Sequence, residues 1–464
     1  MEQTYNWTWV QQQVAQTIAV WEGCAGRPWQ GGPLYSVKEQ KQREKAYSEG
    51  FRAVEREARK APRTLAERLA AKKRIVAIFP RFAAIALGLE GEQIHLLNER
   101  FLPVGTQFAQ WGKRFDPTLS AADLIQACRN AWTACGLQPL LGELMSLTPS
   151  ILGYSMLYPY SDNFLDRSDL SKANKLEFSA RFRDRLRGLN VAAQTQHEAS
   201  VWAMVQLIEQ EYPRATFPAV YQSLLAIHRA QELSIAQLAG SGRCDDSELL
   251  RISFAKGGTS VLADACLVRG RLNEEESRLA FEWGALLQLG DDLQDVREDL
   301  QRGSVSLFSR SAAAGLPLDD LVTQLLNFSD NVANRMEQMP NGSAALKDLL
   351  RMSWRNLILM AVAGAQELFS PAFLTRLDSH SPFRLDFLRA RTSNLTGRQG
   401  LYAVLFDAFL EVGESDLEGL PSPEDWRSHQ LPADEVEGLL RCPMPDSVAV
   451  TAKRAVEAVC LVRI

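Results

Sequence analysis

The residues best able to do chemistry gather in two acidic stretches and one basic one. The stretch GALLQLGDDLQDVREDLQRG, residues 284–303, places Asp291, Asp292, Asp295, Glu298 and Asp299 within nine positions. Like charges four apart on a helix repel by roughly 0.2–0.5 kcal/mol per pair. At about 3.6 residues per turn, Ala280, Gly284, Leu287, Asp291 and Asp295 share one face. The acids therefore continue an apolar stripe, whereas a merely solvated acidic face would oppose it. Carboxylates at the edge of an apolar wall call for protons or cations.

A second acidic pair lies upstream in LYPYSDNFLDRSDLS, residues 157–171, where Asp162 and Asp166 are again four apart, with Asn163 between them and Arg167 following. Mg²⁺ takes one or two carboxylates and leaves its other positions to water and phosphate, so each pair suits that ion. Between the two stretches comes RISFAKGGTSVLADACLVRG, residues 251–270, with Lys256 ahead of Gly257 and Gly258. A double glycine inside a helical pattern has two readings. One is a break that lets backbone and Lys256 approach an anion. The other is close packing of two helices.

The elements that must position these residues read as helical almost throughout. Candidate helices cover 38–76 with a break near Ala61–Pro62, then 119–136, 138–167, 170–188, 197–212, 217–239, 247–270, 273–303, 317–338 and 341–369. Short connections carry breakers such as Gly240-Ser-Gly and Pro340-Asn-Gly. The expectation is a large all-α bundle. Residues 1–60 read as an N-terminal helical extension, 61–412 as the core, and 413–464 as a partly irregular C-terminal extension in which Pro-rich stretches interrupt every pattern. By helix position Phe164, Phe254, Trp283, Tyr158 and Trp202 are candidates to face a cation, and for each of them ordinary core packing is the better reading.

Composition narrows the function classes. The net charge of −5 argues against a general nucleic-acid surface. No uninterrupted apolar segment reaches the ~18–20 residues of a membrane span, and the N-terminus lacks a signal-peptide pattern. Seven cysteines, an odd number without a Cys-x-x-Cys pair, read as free buried thiols in a reducing compartment, so a cytoplasmic location is expected. Five histidines without metal-ligand spacing make zinc chemistry a poor fit.

With these residues in view, GALLQLGDDLQD resembles the second aspartate-rich motif of trans-prenyl diphosphate synthases, through Gly284, Gln288, Asp291, Asp292 and Asp295. The Lys256–Thr259 segment is similar to that family's lysine–threonine region. SDNFLDRS, 161–168, resembles the first aspartate-rich motif, and also that of bacterial large-terpene cyclases. The resemblance covers about residues 150–305 and points to the class I isoprenoid synthase superfamily. It implies an all-α fold around a central apolar cavity and three Mg²⁺ ions holding a prenyl diphosphate. Asp162, Asp166, Asp291, Asp292 and Asp295 would be metal ligands. Lys256 and Arg167 would act on the leaving diphosphate, and Gln288 would help bind it. A homodimer is compatible with this reading.

Departures from the pattern bear on the reaction. Elongating enzymes have two consecutive aspartates in the first motif where this chain has Asp162-Asn163, and a pair of arginines where it has Arg167 alone. Their upstream Gly-Lys-x-x-Arg-Pro motif has only a near-match in Gly112-Lys113-Arg114-Phe115-Asp116-Pro117, with an acid in place of the arginine. These differences favour a terpene synthase that cyclises or quenches a carbocation. Chain elongation with isopentenyl diphosphate is the first alternative. A catalytically inactive helical scaffold partnering an active homologue is the second.

Overall fold

Helix starts follow capping chemistry. Ser36, Ser120 and Asn273 each accept a backbone N–H three residues on, while Glu39, Asp123 and Glu276 reach back to the cap. Such reciprocal caps satisfy donors that a helix end leaves orphaned, about 1 kcal/mol for each cap side chain. The computed structural model describes residues 4–60, 64–166, 170–239, 245–396, 417 and 419–423, and among them no strand occurs.

The helices follow in chain order. The first six are α1 Trp7–Glu22, α2 Val37–Ala58, α3 Leu65–Phe82, α4 Gly91–Leu96, α5 Leu102–Phe115 and α6 Ala121–Leu140. The next six are α7 Pro149–Asp166, α8 Lys172–Leu186, α9 Gln196–Glu211, α10 Pro218–Ala239, α11 Asp246–Arg269 and α12 Glu274–Gln294. The last are α13 Val296–Arg302, α14 Leu307–Ala313, α15 Asp319–Glu337, α16 Ala344–Gly364, α17 Pro371–Ser379 and α18 Leu385–Thr396. The all-α expectation holds for the described residues.

Helix α11 is the hub, packed against α12, α10, α6 and α1. Its centre meets α12 at two glycines. A Cβ at Gly284 would lie 2.0 Å from the Gly257 carbonyl oxygen, and one at Gly257 would lie 2.3 Å from the Gly284 oxygen. A Cβ at Gly258 would strike the Phe281 ring at 2.6 Å. Helix α11 runs unbroken through this point. The break that would bring backbone to an anion does not occur, and the close-packing reading holds: Gly257 lets two backbones meet, and Gly258 makes room for the Phe281 ring.

Two aromatic groups fill the core beside this crossing. Phe254 stacks on Phe328 at 6.0 Å and meets the edge of Trp21, while Trp283 packs against Trp354 at 5.1 Å. Fully burying a side chain such as Phe254 stabilises by about 1.5–3 kcal/mol. Helix α1 belongs to this core: Trp21 is buried, and Tyr5, just ahead of the helix, shares a 2.8 Å hydrogen bond with Ser277. Of the 413–464 segment, Leu417 is buried and the Pro421 carbonyl accepts the Trp111 indole N–H from α5 at 2.8 Å.

The helices depart from expectation at several places. The helix expected over 138–167 begins only at Pro149. Gln138 exchanges both amide hydrogen bonds with the Ser146 backbone, and Gly142 takes a φ of 85°, which closes a loop there. The helix expected over 273–303 divides at Asp295, the last cap of α12 and first cap of α13. Between residues 83 and 115, two π-turns (Ala83–Leu87 and Leu97–Phe101) interleave with α4 and lead into α5, in a stretch the periodicity left unassigned.

The directions of α7 and α12 position the candidate site. Ser150 of α7 bonds the Leu267 carbonyl and Tyr154 bonds that of Ser260, so α7 runs antiparallel to α11. Ser253 of α11 bonds Asp292, while Gly257 meets Gly284, so α12 is antiparallel to α11 as well. Helices α7 and α12 are therefore parallel, and both carry their acidic ends toward the same end of the bundle.

Candidate active site

A cavity of about 390 Å³ opens among α6, α7, α8, α10, α11, α12 and α16. Its volume lies within the roughly 300–1,000 Å³ of small-molecule sites. From α12 it takes Gly284, Leu287, Gln288, Asp291 and Asp295, the face expected from helical spacing. Lys256 and Ser260 enter from α11, and Tyr154, Leu157 and Ser161 from α7. The predicted Lys256, Gln288, Asp291 and Asp295 thus meet at one cavity.

The walls are less apolar than expected. Leu224, Ile227, Val261, Leu186 and Phe182 form an apolar part, but Asn130, Thr133, His228 and Gln231 also contribute. Phe254, Trp283 and Trp202 do not line it and are buried in the core, while the side chains of Tyr158 and Phe164 lie outside the described residues.

Arg129 of α6 escaped the sequence reading. Its guanidinium donates to Asp291 Oδ1 at 3.2 Å, with the Arg129 side chain 22% and that of Asp291 41% exposed. An arginine beside a carboxylate at a cavity gives the site a second cation alongside Lys256, suited to phosphate oxygens. The two partners stand 162 residues apart in sequence, so no local motif announces the pair.

The remaining acids are arranged differently. Asp292 is not a cavity wall: Gln288 Nε2 donates to its Oδ1 at 2.8 Å and Ser253 Oγ to its Oδ2 at 2.9 Å. One amide N–H of Gln288, expected on a diphosphate, is thereby given to Asp292. Burial lifts the Asp292 carboxyl to about 6, against the lowering effects of Gln288, Ser253 and Lys256. Asp299 is lifted further, to about 7, by burial first and then by the charges of Asp292 and Asp295. The mutual repulsion read from the sequence adds to the effect of burial in both shifts.

Asp162 and Asp166 lie in the last turns of α7, the helix that supplies Ser161 to the cavity; their side chains, and the whole of Arg167, lie outside the described residues. Among the described residues no group of three or more His, Cys, Asp or Glu side chains is placed to hold a metal ion. Asp291 and Asp295, one turn apart at the cavity, would supply the one or two carboxylates that Mg²⁺ uses. The donor set fits a hard divalent ion.

The near-match to an isopentenyl-binding motif has a different job. Lys113 donates to the carbonyls of Pro117 and Leu119, and Asp116 accepts the Tyr160 hydroxyl at 2.8 Å. The Lys113 bonds and those from Thr118 to Asp116 fix the turn between α5 and α6, Tyr160 ties Asp116 to α7, and neither Lys113 nor Asp116 lines the cavity. Thr259, expected as part of a lysine–threonine region, is fully buried and returns its hydroxyl to the Ala255 carbonyl of its own helix at 2.6 Å.

The acid cluster makes a pH prediction. A carboxyl whose proton affinity is raised by folding destabilises the folded state above its folded pKa, and the penalty fades as pH falls below it. For Asp299 that window opens near pH 7 and closes in the ordinary carboxylate range. Asp299→Asn should therefore raise stability at pH 8 by about 1–2 kcal/mol after solvent screening, with the gain gone by pH 4. Urea unfolding of both proteins across that range checks it; an equal gain at every pH would reject the charge account.

The described helices number no membrane-length apolar helix among them. Cys24, Cys128, Cys135 and Cys266 are free and buried, as expected of reduced thiols. The chain matches no protein-family profile, no curated protein and no solved structure.

Proposed function

We propose that this chain is a Mg²⁺-dependent class I isoprenoid synthase that ionises an allylic prenyl diphosphate and cyclises or quenches the carbocation. The observation that carries this reading is the meeting of Asp291, Asp295, Lys256 and Arg129 at one cavity, at the bundle end toward which the Asp162–Asp166 helix also runs. Asp291 and Asp295 would hold the ion, with Asp162 and Asp166 contributing from α7. Bound Mg²⁺ supplies charge neutralisation for a leaving diphosphate.

The chain's own residues account for the remainder. Lys256 and Arg129 donate charge-assisted hydrogen bonds to the departing oxygens, a role in which donors already fixed at the site are most effective. Release of Arg129 from Asp291 accompanies diphosphate binding, because one guanidinium then serves a phosphate in place of a carboxylate. Asp292, held by Gln288 and Ser253, keeps Gln288 in place one turn before Asp291. The apolar wall from Leu224, Ile227 and Val261 shields a cation from water. The commitment of Lys113 and Asp116 to the α5–α6 turn favours a synthase acting on one substrate over chain elongation.

The reading is tested by calorimetric titration of inorganic diphosphate into the protein with and without Mg²⁺. Binding should require Mg²⁺, and Lys256→Gln or Arg129→Gln should each weaken it roughly 10–100-fold, the worth of a charge-assisted hydrogen bond. Equal binding by wild type and both variants would remove these residues from the site.

A further inference from the structure

The cavity holds a titratable side chain that ionisation does not use. His228 of α10 is buried, lines the cavity, and packs its ring edge-on against Phe182 at 5.2 Å. Its Nε2 lies 3.5 Å from Glu232 Oε1 and 3.3 Å from Ser179 Oγ. Ser179 donates to Glu232 at 2.7 Å, and Arg183 approaches the same carboxylate at 3.4 Å. Serine and carboxylate thus both address Nε2, which is not the arrangement of a nucleophilic triad, where they take opposite ring nitrogens.

A carboxylate beside Nε2 favours the tautomer that carries its proton there, leaving the lone pair on Nδ1. We propose that His228 is the proton acceptor that ends the carbocation's reaction, taking a proton at Nδ1 while Glu232 supports the imidazolium. This rests on the function proposed above. In the step, a C–H bond next to the cationic carbon breaks and its electron pair becomes a new C=C bond. The proton forms the Nδ1–H bond, so positive charge passes from carbon to the ring. It leaves afterwards to water or to the released diphosphate.

Glu232 is itself a poor base, because His228, Ser179 and Arg183 hold its carboxyl down to about 2. Among the described residues, the charged groups at the ring are Glu232 from its own helix and Arg183, reached through that carboxylate, from α8. Phe182 also packs on the ring, and the residue borders the cavity.

The experiment uses the full chain with Mg²⁺ and an allylic prenyl diphosphate, measuring diphosphate released and products by gas chromatography with mass detection. In His228→Gln, olefin formed per diphosphate released should fall at least about tenfold, with alcohols from water capture rising. In Glu232→Gln, the pH at which the olefin share is half its maximum should move, since the imidazolium loses its counter-charge; a packing role alone would not shift it. An unchanged olefin share in His228→Gln, an unmoved profile in Glu232→Gln, or a wild type making only alcohols overturns the assignment. Absence of Mg²⁺-dependent diphosphate release from wild type overturns the proposed function itself, and this assignment with it.

Discussion

Asp291→Ala is expected to lower Mg²⁺-dependent diphosphate release by about 10³-fold or more while leaving the fold intact. The loss is large because Asp291 is one of two cavity carboxylates from α12, and a site with one remaining donor on that helix holds a divalent ion poorly. The effect on stability is small for a stated reason. Removing Asp291 relieves repulsion with Asp292 but leaves Arg129 without this 3.2 Å partner. Partly exposed ion pairs are worth about 0–1 kcal/mol, so the two changes nearly cancel. Activity and a urea melt of the same preparation separate the cases. Full activity would remove the metal-binding role, and loss of the fold would make the acid structural.

Gly284→Val should have the opposite signature, a large loss of stability. Both partners at this crossing are backbone, so neither can rotate away from a Cβ placed 2.0 Å from the Gly257 oxygen. Overpacking a core commonly costs about 1–3 kcal/mol, and a clash between two main chains belongs at or above the upper end of that range. Helices α11 and α12 would have to separate, carrying Lys256 away from Asp291. Urea unfolding of Gly284→Val should show a loss of about 3 kcal/mol or more, and Gly257→Val should behave alike. A change below about 0.5 kcal/mol in either would contradict the close crossing.

How far the sequence foretold the molecule depended on the range of each signal. Helix α12 was legible because Ala280, Gly284, Leu287, Asp291 and Asp295 recur at helical spacing, and that face does line the cavity. Its division at Asp295 was not legible, since the acids continue the pattern through the cap. The double glycine had two local explanations, and only the position of α12 separates them. The stretch before residue 115 resisted because π-turns slip the register on which the 3.6-residue pattern depends. Arg129 and His228 carry no local motif at all. Arg129 is identified by an acid 162 residues away, and His228 by a cavity built from seven helices. Lys113 shows the converse: a motif-like neighbourhood that two backbone carbonyls explain.

The most direct test incubates the full chain with geranyl, farnesyl and geranylgeranyl diphosphates, with and without Mg²⁺ and isopentenyl diphosphate, following diphosphate release and extracting the products. The account predicts Mg²⁺-dependent release from at least one substrate, giving hydrocarbons or alcohols without isopentenyl diphosphate. Longer prenyl diphosphates formed only when isopentenyl diphosphate is present would make the protein an elongating transferase. No release from any substrate in the presence of Mg²⁺ would contradict the account.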